Sequence, residues 1–129
     1  MTTRRRAEQK LLKSRRFLDY AEASEGEYPD VTISLSASAA INASDALLLA
    51  NGASTLANEE HIRAVGRLRS LGLKSAAGHL AGALVNKSKA QYSERECSAR
   101  EASEALKHAQ RILRIAEISI SSEGSTNEQ

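Results

Sequence analysis

The chain is poor in the residues from which staples, metal centres and stacking platforms are built. Its 129 residues include one cysteine, one proline, seven glycines and no tryptophan. The lone Cys97 closes no intrachain disulfide and makes no cysteine-based zinc site, so stability must come from an apolar core and a reducing, cytoplasmic setting is expected. One Phe and three Tyr amount to 3% aromatics, which disfavours single-strand binding by a base-stacking platform. No apolar run approaches bilayer-spanning length, and no apolar h-region follows Arg4, Arg5 and Arg6. Neither a membrane span nor a secretory leader is predicted. The histidines, His61, His79 and His108, are too scattered to read as a metal cluster, and no cofactor motif is present.

What the chain does have is 41% hydrophobic residues and a net charge of +2. At this length a single domain buries roughly two-thirds of its unfolded surface. The charge is unevenly placed: residues 1–16 hold seven Lys or Arg against Glu8 alone, so the rest of the chain is net negative. A cationic end of this kind either meets phosphate or forms the solvated face of a helix.

Helical periodicity runs through almost every segment, and no sustained strand alternation bounded by turn signals occurs. The fold class is all-α, with about five helices in residues 1–120 and a disordered tail over 121–129. The first helix spans about Arg4 to Ala23, with Ala7, Leu11, Leu18 and Ala21 as its apolar stripe. Gly26 and Pro29 break the chain, and Asp30 is placed to cap the second helix, Val31 to Ala50. Strand and helix are both arguable for VTISLS; helix is preferred because the apolar run continues for some twenty residues without a turn. This second helix is apolar nearly all round and rich in Ala and Ser, which predicts a central position and a face for a second subunit. Asp45 within it reads as an exposed or paired acid.

A third helix is capped by Asn58 with Glu59 and Glu60 in its first turn, buries Ile62, Val65, Leu68 and Leu71, and stops at Gly72. The fourth runs from Leu73 to about Ala90, burying Leu73, Ala76, Ala77, Leu80 and Leu84, with Gly78 and Gly82 inviting close packing. Its stripe continues onto Lys87 and Gln91, so polar groups stand where apolar ones would follow. The last helix opens with a Ser98/Glu101 capping box, Cys97 stapling against Ala102, and keeps an i, i+3, i+4 pattern to Ile120. Cys97 thus reads as packing rather than as a nucleophile.

Three stretches, SAAINASDALLLANG, LVNKSKAQYS and SAREASEALKHAQRIL, together with the order of the helices, resemble the HEPN superfamily over most of Val31 to Ile120, and most closely its small stand-alone bacterial members. The resemblance implies an antiparallel helical bundle, commonly a homodimer, and for many members metal-independent ribonuclease activity in toxin–antitoxin or antiviral systems. Those ribonucleases carry an R-x4–6-H motif in which Arg stabilises charge on the phosphate and His transfers protons. That motif is absent. Arg100 and His108 come nearest, with seven residues between them. At the motif's position stand Lys87, Ser88, Lys89, Ala90, Gln91 and Tyr92. Lysine still holds phosphate, but Gln91 exchanges no proton near neutral pH.

Lys87, Lys89, Gln91 and Tyr92 are therefore the candidate ligand- or phosphate-binding residues, against an equal reading in which the lysines only complement a helix end and Tyr92 packs its ring. No catalytic residue is assigned. The leading expectation is a non-catalytic HEPN-like protein that binds RNA, a nucleotide or a protein, as a homodimer and with a nucleotidyltransferase-like protein as a possible partner in a toxin–antitoxin or defence module. A divergent ribonuclease and a purely structural dimerisation module are the competing readings.

Overall fold

The computed structural model describes residues 1–55 and 61–127, the last six of these as backbone only. Among the described residues six helices follow one another: α1 Thr3–Ser24, α2 Pro29–Ala50, α3 His61–Ser70, α4 Lys74–Leu84, α5 Lys87–Tyr92 and α6 Ala99–Asn127. No strand occurs among the described residues. The all-α bundle stands, and VTISLS is helical. Asn58, Glu59 and Glu60, expected to open the third helix, lie outside the described residues.

The helix ends follow from local chemistry. Thr2 caps α1 by accepting the Arg5 backbone N–H at 3.1 Å, which satisfies one of the four donors a helix start leaves free. Pro29 occupies the first position of α2, where its missing N–H costs nothing. Asp30 is thereby displaced from the capping role into the first turn, a correction to the sequence reading. α2 and α3 both end in a glycine of positive φ, Gly52 at 78° and Gly72 at 80°. In each case the next residue's N–H reaches back five residues in the paired pattern of a Schellman close, Ala53 to Leu48 at 2.8 Å and Leu73 to Leu68 at 2.9 Å.

α2 is the axis of the bundle. Serine and alanine let α1 lie close against it, and the Ser14 hydroxyl donates to the Ala39 carbonyl at 2.7 Å. Lys10 Nζ meets Asp45 Oδ2 at 3.0 Å, and the Ser24 and Thr32 hydroxyls share a 2.7 Å hydrogen bond. These contacts step backward along α2 as they step forward along α1, so the two helices are antiparallel. Asp45 is buried and paired. α6 is antiparallel to α1, with Arg15 against Glu117 and Gln110 against Glu22. It runs parallel to α2, since Ile33 packs with Ala102 and Ala105 while Ala46 and Leu49 pack with Ile120. The main core gathers Leu18, Leu47, Leu48, Leu68, Leu80, Ile112 and Leu113 around the alanines of α2.

Four expectations change in this architecture. α2 is enclosed by its own chain: Ala37, Ala39, Ala40, Ala43 and Ala46 are fully buried within one protomer, so its small-residue face is taken by α1, α4 and α6 rather than kept for a second subunit. By length and composition α2 is also apolar enough to cross a bilayer, contrary to the sequence reading, although most of it is buried inside the bundle. The predicted fourth helix is two helices, because Asn86 leaves helical geometry at φ −107° and ψ 13° and re-aims the chain. Finally, α6 continues to Asn127 where a disordered tail was expected. Once a helix is nucleated, each further residue adds its hydrogen bond at little cost, and no proline stops this one. Smaller misses are Ile62, 70% exposed, and Leu71; the buried edge of α3 is Ala64, Val65 and Leu68. Gly78 faces open space.

The hydroxyls of Ser36 and Ser44 are buried on α2 without a hydrogen-bond partner among the described residues. A desolvated hydroxyl of this kind costs free energy that a methyl group does not. Ser36→Ala and Ser44→Ala are therefore expected to be neutral or to stabilise the fold by up to roughly 1 kcal/mol in chemical denaturation. Ala43→Arg should instead abolish the cooperative transition, because an unpaired cation in this core costs more than about 4 kcal/mol. Loss of helical circular dichroism in Ala43→Arg, rather than a change of oligomeric state, is the expected result.

Candidate functional site

α5 carries the four residues singled out by the sequence and divides them between two flanks, Lys87 with Gln91 and Lys89 with Tyr92. It is held on α2 and α6 by Ala90, which packs beside Ile33, Ala102, Ala105 and Cys97. With one residue per 100° of turn, Lys87 and Lys89 leave flanks about 160° apart. Lys89 is committed: its Nζ lies 3.0 Å from both carboxylate oxygens of Glu101. Glu101 is the second half of the predicted capping box, accepting the Ser98 N–H at 2.8 Å while its own N–H donates to the Ser98 hydroxyl at 3.0 Å. The Ser98 N–H and Lys89 hold the Glu101 carboxyl below its usual range. Lys89 thus fastens α5 to the start of α6. Lys87 shares a flank with Gln91 and has no ion-pair or hydrogen-bond partner among the described residues, and Tyr92 is 79% exposed. The structural half of the sequence reading describes Lys89, and Tyr92 follows it by three residues on the neighbouring flank.

Cys97 packs in the same small cluster, and burial raises its thiol pKa above the ordinary value despite Lys89 nearby. It is held as the thiol, as its reading as a packing residue requires.

A second constellation joins α4 and α6, and of its pairings the sequence suggests Arg100 with His108 alone. His79 and His108 share a 3.0 Å hydrogen bond between their Nδ1 atoms. The His108 imidazole lies over Gly82, where any Cβ would overlap it. That close approach is the packing role expected of Gly82, filled from within the chain. On its open side His108 borders a 300 Å³ cleft with Asn86, Val85, Arg100, Glu101 and Glu104. Arg100 and His108 therefore share one cleft although two turns of helix separate them. Burial first, then His108 and Arg111, pull the His79 pKa below 6.5. Among the described residues no three His, Cys, Asp or Glu side chains are placed to hold a metal ion.

The third constellation is the cationic end of the chain. Of its seven Lys and Arg, three are engaged: Arg4 with Glu8 at 3.3 Å, Lys10 with Asp45 and Arg15 with Glu117. Arg5, Arg6, Lys13 and Arg16 have no ion-pair partner among the described residues. All four are exposed: Arg5 and Arg16 lie opposite the buried stripe of Ala7, Ser14, Leu18 and Ala21, and Arg6 and Lys13 on the adjoining flank. Where this side meets α2, Lys13, Arg16, Phe17, Tyr20 and Leu35 line a 390 Å³ apolar recess. Two of the four aromatic residues in the chain are thus gathered in one place. The 3% aromatic content had counted against stacking, but composition does not report clustering.

No protein-family model matches the chain, and no curated protein matches it.

The histidine pair fixes the sign of a pH effect. In the unfolded chain His79 titrates near 6.5, whereas in the folded protein it takes up its proton only at lower pH. Below 6.5 the unfolded state binds more protons at this position, so acidification favours unfolding. The thermal midpoint should fall as pH is lowered from about 7.5 to about 5.5, and His79→Gln, which does not titrate, should flatten that dependence.

Proposed function

We propose that the chain is a HEPN-like helical bundle that binds RNA or a nucleotide without cleaving it. The HEPN likeness rests on the residue patterns of α2, of the α4–α5 join and of α6, and an all-α bundle is compatible with it. The observation that carries the binding reading is the exposed side of α1, where Arg5, Arg6, Lys13 and Arg16 stand free of carboxylates while the other cations of the same helix are neutralised. Unneutralised charge of one sign along one helix face is the electrostatic footprint of a phosphate-bearing ligand. Against cleavage at the family's usual position stands the chemistry of α5: Lys89 is taken by Glu101, and Gln91 transfers no proton.

The Arg100/His108 cleft favours a second reading, a divergent metal-independent ribonuclease. Arg100 would hold the phosphate, His108 would move the proton, and His79 would orient His108 from behind. The two readings part in a single assay. Purified protein is expected to bind an RNA oligonucleotide with an affinity that falls steeply with salt, and to leave the RNA intact over hours. Cleavage that His108→Gln removes while the fold is retained would establish the second reading instead. Absence of salt-dependent binding together with absence of cleavage would leave a protein-only role.

A further inference from the structure

We propose that the recess between α1 and α2 is a base seat, so that the ligand taken by this protein is a single-stranded nucleic acid, with a base against Phe17 and Tyr20 and its flanking phosphates on Lys13 and Arg16. The inference deepens the RNA-binding reading and rests on it.

The recess has two parts of opposite character in the right order. Its apolar part is formed by Phe17, which is exposed, and by Leu35 from α2, which is partly buried. Its wall is Tyr20, which stands 71% exposed and is free to close over a flat ring. Its rim is cationic, with Lys13 and Arg16 unpaired among the described residues. A volume of 390 Å³ accommodates a planar base with room for its sugar. From Arg5 to Tyr20 the exposed side of α1 is roughly 22 Å long. Arg5 and Arg6 lie at its far end, so a strand anchored by one base in the recess runs on along further cations. Asp19 is the one acid bordering this stretch without a recorded partner, and it marks where the cationic run ends.

Three occupants compete for such a surface. Duplex keeps its bases stacked inside and presents no ring to an apolar recess. A membrane surface wants apolar side chains that protrude beyond the charges; Leu35 does not protrude, but Phe17 and Tyr20 are exposed, so vesicle binding is the alternative the experiment has to exclude. Single strand satisfies both halves, because stacking on aromatics is indifferent to sequence and phosphate contacts supply the rest.

Fluorescence anisotropy on the full chain tests the assignment, using a labelled single-stranded RNA 12-mer, the same RNA as duplex, and vesicles containing phosphatidylserine. Single strand is expected to bind tightest, with a log–log salt slope of roughly −3 for about four phosphate contacts. Tyr20→Ala should weaken single-strand binding about tenfold with the slope unchanged, since it removes stacking and no charge. Arg16→Gln should make the slope shallower by about 0.7. Both side chains are exposed, and circular dichroism should confirm that both variants fold. If Tyr20→Ala binds as the wild type does, or if duplex binds as tightly as single strand, the base seat is wrong while RNA binding stands. If Lys87→Ala abolishes binding and the α1 variants do not, the site belongs to α5 and this inference fails alone. If no RNA binds at low salt, the functional reading fails and takes the base seat with it; vesicle binding under the same conditions would reassign α1 to an anionic membrane surface.

Discussion

Everything in this fold depends on α2 being thin enough to be surrounded. Alanine and serine occupy ten of its 22 positions, and their small volumes let α1, α4, α5 and α6 lie against it from several sides at once. Leucines and isoleucines of α1, α3, α4 and α6, together with Leu47 and Leu48 of α2 itself, fill the space between. A helix of this composition gains little from its own side chains and much from the closeness it permits, because dispersion contacts fall off within a fraction of an ångström. Two hydroxyls without partners, Ser36 and Ser44, show where small size was kept at the expense of hydrogen bonding. The same closeness recurs at Gly82, where α6 lays the ring of His108 directly on the backbone of α4.

The beginning of α6 is the second organising point. One carboxylate, Glu101, serves the Ser98 capping box and the Lys89 ammonium together, so the cap that starts the longest helix also anchors the shortest. Lysines at the end of a helical stripe look like a binding site in one dimension. In three dimensions one of them is a tie between elements, and the shared flank of Lys87 and Gln91 faces away from it.

Charge is sorted in a similar way. α1 carries seven cations within its first fourteen residues: Lys10 and Arg15 find Asp45 and Glu117 on α2 and α6, Arg4 pairs with Glu8 on its own helix, and the other four find no carboxylate among the described residues. The helix therefore acts as a fastener along two edges and as an unneutralised surface between them. The apolar recess lies where one edge gives way to that surface, which is why aromatic and cationic side chains meet there.

Sequence alone determined the elements whose causes are local. Helical period, the glycine stops at Gly52 and Gly72, and the Ser98/Glu101 box need only neighbours within four or five residues, and each was legible in the chain. So was the pairing or exposure of Asp45 as a pair of alternatives, though not the identity of Lys10 as its partner. Tertiary structure decided whatever depends on which faces meet. It enclosed α2 within one protomer, broke the fourth segment at Asn86, exposed Ile62, and separated Lys87 from Lys89 on opposite flanks of α5. It also brought together residues that no spacing rule connects: His79 with His108, Arg100 with His108 in one cleft, and Phe17 and Tyr20 with Leu35. The physical reason is the same in each case, since a side chain's periodicity says which way it points on its own helix, and only packing says what stands opposite.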